Sequence, residues 1–219
     1  DFIIIYNKYV IMAQKYKNDM IDIATPAGNE KELALTAKRL GYRGICFLYS
    51  LNNFFKEGIK AEGIEIHKGL LISQKDFEKS KAKINVQKIF VAVKSTGDDR
   101  EMMKELKSSM FFSFEEPVSK DFMHQRGSGL NHILCRLAKE NSITIGFSLK
   151  SILNSTNPST ILGRMMQNIS LCSKFKVKTA IASFASSPYE LRSPHDLESV
   201  FRLLGHQKPE FLNNGIPPN

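Results

Sequence analysis

Apolar runs alternate with amphipathic stretches along most of the chain. Seven short runs rich in Ile, Val, Phe and Leu are typical of buried strands. The predicted strands span residues 20–24, 44–50, 64–73, 89–94, 110–114, 143–149 and 179–183. Apolar residues at helical spacing predict helices over residues 29–40, 51–62, 75–85, 98–108, 129–141, 158–176 and 194–204. This alternation predicts parallel strands joined by helices.

Start and stop signals bound the first and last of these helices. Asn29 stands where a capping side chain is expected, and Gly41 is placed to end the first helix. At the last helix, Ser193 is the predicted cap, Pro194 occupies the first helical position and Gly205 ends the helix. These signals predict two well-defined helices at opposite ends of the fold.

About seven βα units without a break in composition predict one α/β domain over residues 20–205. We expect a TIM-barrel-like (β/α) barrel. A doubly wound open sheet is the alternative, because strand closure cannot be read from periodicity. Residues 1–19 are expected to form an N-terminal extension. The proline-containing residues 206–219 are expected to form an irregular, mobile C-terminal tail.

The cysteines and the apolar runs bear on location. Cys46, Cys135 and Cys172 are far apart in sequence and form neither a zinc-ribbon pattern nor a disulfide framework. No apolar run reaches the roughly 18 residues that a membrane span needs. We therefore expect a cytoplasmic protein without a membrane partner.

Positive charge is concentrated in the second half of the chain. The net charge is +9, and residues 120–219 carry 12 Lys and Arg against 6 Asp and Glu. Nine of these basic residues fall within 120–178, among them Arg126, Arg164 and Lys174. Such a field would suit phosphate backbones. A solvated surface with a chance excess of charge remains an equal alternative.

A basic stripe follows one face of the predicted helix 129–141. The helical wheel places Leu130, Ile133, Leu134, Leu137 and Ala138 on one side, and His132, Arg136 and Lys139 on the other. Such a stripe, preceded by Arg126, can follow a phosphate backbone without reading bases. A plain solvent-facing surface is the other interpretation.

Arg192 precedes the Ser193 cap. Its guanidinium and the helix N-terminus could together hold one phosphate. Alternatively, Arg192 bonds the preceding loop. In the helix 158–176, Leu162, Met165, Met166 and Ile169 are predicted to face the core.

Catalytic motifs are not found. The five histidines form no metal-binding cluster, and Asp22 is expected to be a buried, hydrogen-bonded strand acid. Gly127-Ser128-Gly129 could bind an anion through backbone N–H groups, but it lacks the Walker and dinucleotide patterns, so a helix entry is the simpler interpretation. We predict no catalytic residue and no metal site in this chain.

Two segments carry motifs that are specific when they occur together. The first runs from Gly129-Leu-Asn-His to Lys139 and continues through Ile143-Thr-Ile-Gly-Phe-Ser-Leu-Lys150. The second is Ser183-Phe-Ala-Ser-Ser-Pro-Tyr-Glu-Leu-Arg-Ser-Pro-His-Asp-Leu197. Together they resemble the p30-type subunits of archaeal ribonuclease P. Asn131 departs from the Asp usual in the family, and the basic residue expected before the helix appears as Gln125-Arg126.

The resemblance implies a barrel similar to that of metal-dependent phosphoesterases but without their metal site. It implies a subunit of the ribonucleoprotein that removes 5′ leaders from precursor tRNA, in which RNA performs the cleavage. The implied partners are ribonuclease P RNA, precursor tRNA and other protein subunits, including a small α/β protein. No cofactor is expected on the protein, and magnesium is expected on the RNA. The predicted RNA contacts are Arg126, His132, Arg136, Lys139, Lys150, Arg164, Lys174 and Arg192.

Two rival functions follow from the same residues. A metal-dependent phosphoesterase on this barrel would depend on Asp22, His67 and His132. A non-enzymatic scaffold would use the basic face to bind proteins and not RNA.

Overall fold

The computed structural model describes residues 20–54, 60–80, 89–117, 120–121 and 126–212. The predicted N-terminal extension, Gln125 and residues 55–59, 81–85 and 213–219 lie outside these ranges. Residues 60–62, the predicted end of the helix 51–62, are described and are not helical. No helix in the described ranges is long and apolar enough to cross a membrane.

Seven parallel strands form one sheet in chain order, each hydrogen-bonded to the next. They are β1 (Ile21–Ala24), β2 (Gly44–Ser50), β3 (Glu65–Ile72), β4 (Phe90–Lys94), β5 (Met110–Phe112), β6 (Thr144–Ser148) and β7 (Lys178–Ala182). A parallel bridge between Ala24 and Ala185 joins the first strand to the segment after the last. The nearly closed sheet confirms the predicted barrel and excludes the open-sheet alternative.

Helices cover the outside of the barrel. They are α1 (Glu30–Leu40), α2 (Leu51–Phe54), α3 (Gln74–Ser80), α4 (Arg100–Glu105), α5 (His132–Glu140), α6 (Leu149–Leu153), α7 (Pro158–Phe175) and α8 (Pro194–Leu203). A short 3-10 helix spans Pro188–Glu190. The sequence did not predict α6 or the 3-10 helix, because each is shorter than two helical turns.

The core has two layers, because alternate strand residues face opposite sides of the sheet. The inner layer fills the barrel and includes Ile21, Ile23, Cys46, Leu48, Phe90, Ala92, Met110, Phe112, Ala180 and Ala182. The outer layer packs the strands against the helices. Gly69 and Gly146 leave room for inner-layer neighbours, since a Cβ at either would press on Phe90 or Phe112 respectively.

The side chain of Asp22 lies in the outer layer and links β1 to Ser183, the residue that follows β7. Its carboxylate accepts hydrogen bonds from the Ser183 backbone N–H at 2.8 Å and the Ser183 hydroxyl at 2.6 Å. Burial raises the pKa of Asp22 to about 6, although the bonds from Ser183 act in the opposite direction. The prediction of a buried, hydrogen-bonded strand acid is confirmed.

The start of α1 and the C-terminal segment differ from their predictions. Asn29 stands before α1 but makes no side-chain cap; its Nδ2 donates across the barrel seam to the Ser186 carbonyl at 2.9 Å. Residues 206–212 are irregular, as predicted, but they pack against the barrel. Ile181 N–H donates to the Glu210 carbonyl at 2.8 Å, and Phe211 is buried. This segment fills the lower seam between β7 and β1, because Leu212 also bridges Ile21.

Candidate RNA interface

The predicted RNA contacts separate into four places. Because the strands are parallel, their C-terminal ends and the N-termini of the following helices share one face. Arg126, His132, Lys150 and Arg192 lie at this face, after β5, β6 and β7, and we call them the rim. Arg136 and Lys139 continue down α5, and we call them the flank. Lys174 lies at the opposite end of α7, and Arg164 is buried.

The basic stripe on α5 is exposed as predicted. His132, Arg136 and Lys139 all face solvent, while Leu134, Cys135 and Ala138 are buried. Ile133 is a correction, because 45% of its surface is exposed where the helical wheel placed it in the core.

Asn131 caps α5. Its Oδ1 accepts hydrogen bonds from the N–H groups of Ile133 and Leu134, both at 2.9 Å. An amide oxygen caps a helix about as well as a carboxylate does. The departure from the family's Asp is therefore structurally neutral at this position.

Two glycines let the loop that carries Arg126 pack closely against its neighbours. The guanidinium of Arg126 lies against Gly163 of α7, where a Cβ would collide with it. Gly129 has φ +76°, and a Cβ there would collide with the carbonyl of Phe114. Gln167 Nε2 donates to the Arg126 carbonyl at 3.2 Å and fastens the loop to α7. Arg126 itself is exposed.

The glycine-rich entry is not an open anion cradle. Gly127 N–H donates to Asp121 Oδ1 at 2.9 Å, and Ser128 N–H donates to the Arg126 carbonyl at 2.9 Å. Both amides are therefore used within the loop. This favours the simpler interpretation of the segment as a helix entry.

Arg164 is a correction to the predicted contact set. Its side chain is 4% exposed, and its Nε donates to Asp121 Oδ1 at 2.8 Å. Its Nη1 also donates to the Glu115 carbonyl at 2.9 Å. A buried guanidinium held in this way positions the loop after β5 and does not present charge to a ligand.

A buried polar network continues from Arg164. Asn168 Nδ2 donates to Glu115 Oε1 at 2.7 Å and to the Ser128 carbonyl at 2.8 Å. Burial raises the pKa of Glu115 to about 7, against the opposing hydrogen bond from Asn168. Glu115 therefore favours its neutral form more than an ordinary carboxyl does.

Arg192 bonds the preceding loop and remains exposed. Its Nη1 donates to the carbonyls of Tyr189 at 2.8 Å and Leu191 at 2.7 Å. The Tyr42 hydroxyl donates to the Arg192 carbonyl at 2.9 Å, which fixes the backbone. The loop-bonding alternative is therefore correct in geometry. Since both bonds use Nη1, Nε and Nη2 can serve another acceptor.

Tyr189 is an exposed aromatic residue that the sequence analysis did not select. It lies in the 3-10 helix three residues before Arg192, and 89% of its surface is exposed. Ser187 and Glu190 hold this turn through a reciprocal capping box. An exposed ring on a turn that is held in place, beside a guanidinium, can stack on an unpaired base.

Lys174 lies in a groove at the base of the barrel, bordered also by Lys176 and Lys208. Met166 contributes to this groove with 51% of its surface exposed, so its predicted place in the core is wrong. Lys174 is 11 residues beyond Gly163, where Arg126 packs, so at 1.5 Å per residue roughly 16 Å of α7 separates Lys174 from the nearest rim arginine.

The ligands of the rival metal site do not converge. Asp22 is in the outer layer, bonded to Ser183. His67 lies near the lower end of β3, with its Nε2 3.6 Å from Glu65, and His132 is exposed on α5. Within the described ranges, no three His, Cys, Asp or Glu side chains form a group that could hold a metal ion. The arrangement does not favour the phosphoesterase alternative.

The profile of the family described as RNase P subunit p30 matches residues 20–210. Ribonuclease P protein component 3 of Methanococcus vannielii is 26% identical over 187 residues, covering 79% of this chain and 78% of that protein. The protein of the same name from Methanothermobacter thermautotrophicus is 25% identical over 191 residues, covering 81% and 76%. That from Thermococcus kodakarensis is 37% identical over a shorter stretch of 89 residues, covering 39% and 40%.

A solved structure shares the fold. A chain in the cryo-EM structure of archaeal ribonuclease P with mature tRNA superimposes with a TM-score of 0.62 at 19% identity, covering 84% of this chain and 82% of that one. The family profile spans every strand and helix described above. The chain therefore belongs to the RNase P subunit p30 family.

Proposed function

We propose that this p30-family chain supports precursor-tRNA processing by binding RNA with its rim and flank. It is a component of ribonuclease P, an endoribonuclease, and in this proposal the RNA carries out the cleavage. The observation that carries the proposal is the run of cationic side chains at consecutive sectors of one barrel face, with Arg126 and Arg192 exposed and Lys150 half-buried. Arg126 follows β5, Lys150 follows β6 and Arg192 follows β7.

Three acids near the rim are engaged in local structure, which reduces their effect on its positive field. Glu190 accepts from the Ser186 N–H at 2.6 Å, and Asp196 accepts from the Ser193 hydroxyl at 2.8 Å. Asp121 is paired with Arg164. Carboxylates held in caps and loops repel a phosphate less effectively than free ones at the same distance, since part of their charge is offset locally.

The flank extends the surface away from the rim. His132, Arg136 and Lys139 are exposed along α5 and span roughly 10 Å of helix axis. Contacts of this type fix register on a backbone without reading sequence. Lys174 is too far from the rim to share its phosphates, so we assign it a secondary role.

Salt-dependent binding tests the assignment. Fluorescence anisotropy of a labelled cognate ribonuclease P RNA, measured over a range of KCl concentrations, gives the slope of log affinity against log salt. We expect Arg126→Ala and Arg192→Ala each to weaken binding and reduce the slope by about 1. Arg39→Ala is the matched control, because Arg39 is equally exposed but lies on α1.

Unchanged affinity and slope in both rim variants would remove the site assignment. If only Lys174→Ala changed the RNA affinity and the salt slope, the interface would be reassigned to the groove at the base of the barrel. The functional test is reconstitution of precursor-tRNA cleavage from the RNA and the protein subunits, with and without this chain. Equal cleavage in both would contradict the proposed role.

Three further parts of the proposal come from the resemblance. We propose a small α/β protein among the partner subunits, no cofactor on this chain with magnesium held by the RNA, and a cytoplasmic location. Pull-down with individually purified subunits tests the first. Cleavage assays over a magnesium series, with and without this chain, test the second.

A further inference from the structure

The inner layer of the barrel changes from apolar to polar at its C-terminal mouth. Below the mouth, the buried inner positions are Ile, Leu, Cys, Phe, Met and Ala. At the mouth the same side of the sheet carries Lys94 at the end of β4 and Ser148 at the end of β6, and Thr25 follows β1. Ligands of α/β barrels bind at this face, where loops from several strands converge.

The polar mouth encloses a cavity of about 520 Å³. Pockets for small organic ligands have this size, roughly 300–1,000 Å³. Phe112 and Phe184 form its apolar floor as a stacked pair with ring centroids 4.1 Å apart. Ser113, Ser151 and Thr156 add hydroxyl groups to its walls.

Of the two lysines at the mouth, Lys94 forms an ion pair, and Lys150 forms none with the described residues. Lys94 Nζ lies 2.6 Å from Glu116 Oε2, and Ser151 donates to Glu116 Oε1 at 2.6 Å. Lys150 Nζ donates only weakly, to the Thr25 hydroxyl at 3.5 Å. Glu190 lies near enough for Lys150 to help lower its pKa, but the carboxylate of Glu190 is bonded to Ser186.

Two residues at the barrel mouth have a strained backbone conformation. Ser113 and Phe184 follow β5 and β7 in the left-handed region, with φ 61° and 51°. Non-glycine residues are disfavoured in this region, and such residues cluster at ligand sites. Phe184 places its ring on the cavity floor from this conformation.

We propose that the barrel mouth is a binding site for a phosphomonoester that carries an aromatic or apolar body. Lys150 and the hydroxyls of Thr25 and Thr156 would hold the phosphate, because Ser113 and Ser151 bond each other and Ser151 donates to Glu116. The Phe112–Phe184 floor would contact the body. An ammonium without an ion-pair partner, set among hydroxyls, suits a phosphate better than an uncharged ligand. The site shares Lys150 with the rim but does not use the rim arginines, and it needs no RNA.

Calorimetry on the full chain tests the site with three probes: adenosine 5′-monophosphate, inorganic phosphate and adenosine. We expect one molecule of the monophosphate to bind, at least tenfold more tightly than adenosine. Lys150→Met removes the charge and keeps most of the side-chain volume, so it should weaken the monophosphate at least tenfold. Lys208→Met, in the base groove, should leave the affinity unchanged.

The proposal is overturned by the absence of monophosphate binding at millimolar concentration, or by equal affinity in Lys150→Met with an unchanged thermal melt. Competition then identifies the source of the phosphate. Displacement of the ribonuclease P RNA by the monophosphate indicates a terminal phosphate of RNA, whereas independent binding indicates a free nucleotide. The rim variants Arg126→Ala and Arg192→Ala are tested by RNA affinity and its salt slope, whereas Lys150→Met is tested by monophosphate binding. Failure of this site and failure of the RNA interface are therefore distinguishable.

Discussion

The guanidinium of Arg126 rests on the bare Cα of Gly163, one turn and a half into α7. Any side chain at this position would occupy the place of Nη1. Glycine in a helix interior ordinarily costs about 0.5–1 kcal/mol relative to alanine. Glycine at position 163 therefore leaves room for the Arg126 guanidinium but lowers the stability of α7.

Gly163→Ala is therefore expected to separate stability from RNA binding. The free energy of unfolding should stay level or rise by up to about 1 kcal/mol, because alanine favours the helix. RNA affinity and the salt slope should fall, because the displaced guanidinium loses its position. Urea denaturation and salt-dependent anisotropy measure the two effects.

A double-mutant comparison controls this prediction. In an Arg126→Ala background there is no guanidinium to displace, so adding Gly163→Ala should not weaken RNA binding further. Additive losses in the double variant would show that Gly163 acts through something other than Arg126.

Arg164 and Arg136 should behave oppositely although both were predicted to contact RNA. Arg164→Met leaves the Glu115 carbonyl without its donor and breaks the pair with Asp121. We expect the free energy of unfolding to fall by about 1–3 kcal/mol. Arg136→Met, on the exposed flank, should preserve stability and reduce the salt slope. Denaturant titration of the two variants side by side tests this; equal stabilities would contradict the buried assignment.

The different positions of these two arginines explain what the sequence can and cannot predict. Helical periodicity correctly placed Arg136 on the polar side of α5, because local spacing decides that face. The partner of Arg164 is Asp121, 43 residues away, and no local pattern records such a contact. Met166 was misassigned for a related reason: its side of α7 meets the base groove and not another element.

The order of the strands and of the longer helices followed from the sequence, because those runs are long enough to show their period. The seam was not predictable. It depends on Asp22 reaching Ser183 and on residues 210–212 returning between β7 and β1. The cavity at the barrel mouth was also not predictable from the sequence. Lys94 and Lys150 are 56 positions apart, and only closure of the barrel brings their strands to one cavity.

Glu115 predicts a specific dependence of stability on pH. Its pKa is raised to about 7 in the folded protein, against 4.5 for an ordinary glutamate. The folded state therefore holds the proton more tightly than the unfolded state. The stabilisation is complete below pH 4.5 and is lost as the pH rises towards 7, with a total on the order of 3 kcal/mol.

Glu115→Gln isolates this effect because glutamine keeps the acceptor for Asn168 and carries no charge. Between pH 5 and pH 8 the wild type should lose stability relative to the variant. Asp22 titrates in the same window in both proteins, so its contribution cancels. Urea denaturation at one-unit pH intervals measures the difference. Parallel stability curves would contradict a buried, proton-retaining Glu115.

Tyr189 and Arg192 offer the sharpest test of how the rim contacts RNA. The two residues share a fixed turn, but a ring stacks whereas a guanidinium releases counterions. Tyr189→Ala should therefore weaken RNA binding by about 1–3 kcal/mol per stacked base and leave the salt slope unchanged. Tyr189→Phe keeps the ring and should bind like the wild type. Arg192→Ala should change the slope instead. Because 89% of the Tyr189 surface is exposed, its loss should not alter thermal stability. A Tyr189→Ala variant that changes the slope, or a Tyr189→Phe variant as weak as Tyr189→Ala, would show that the ring does not stack on a base.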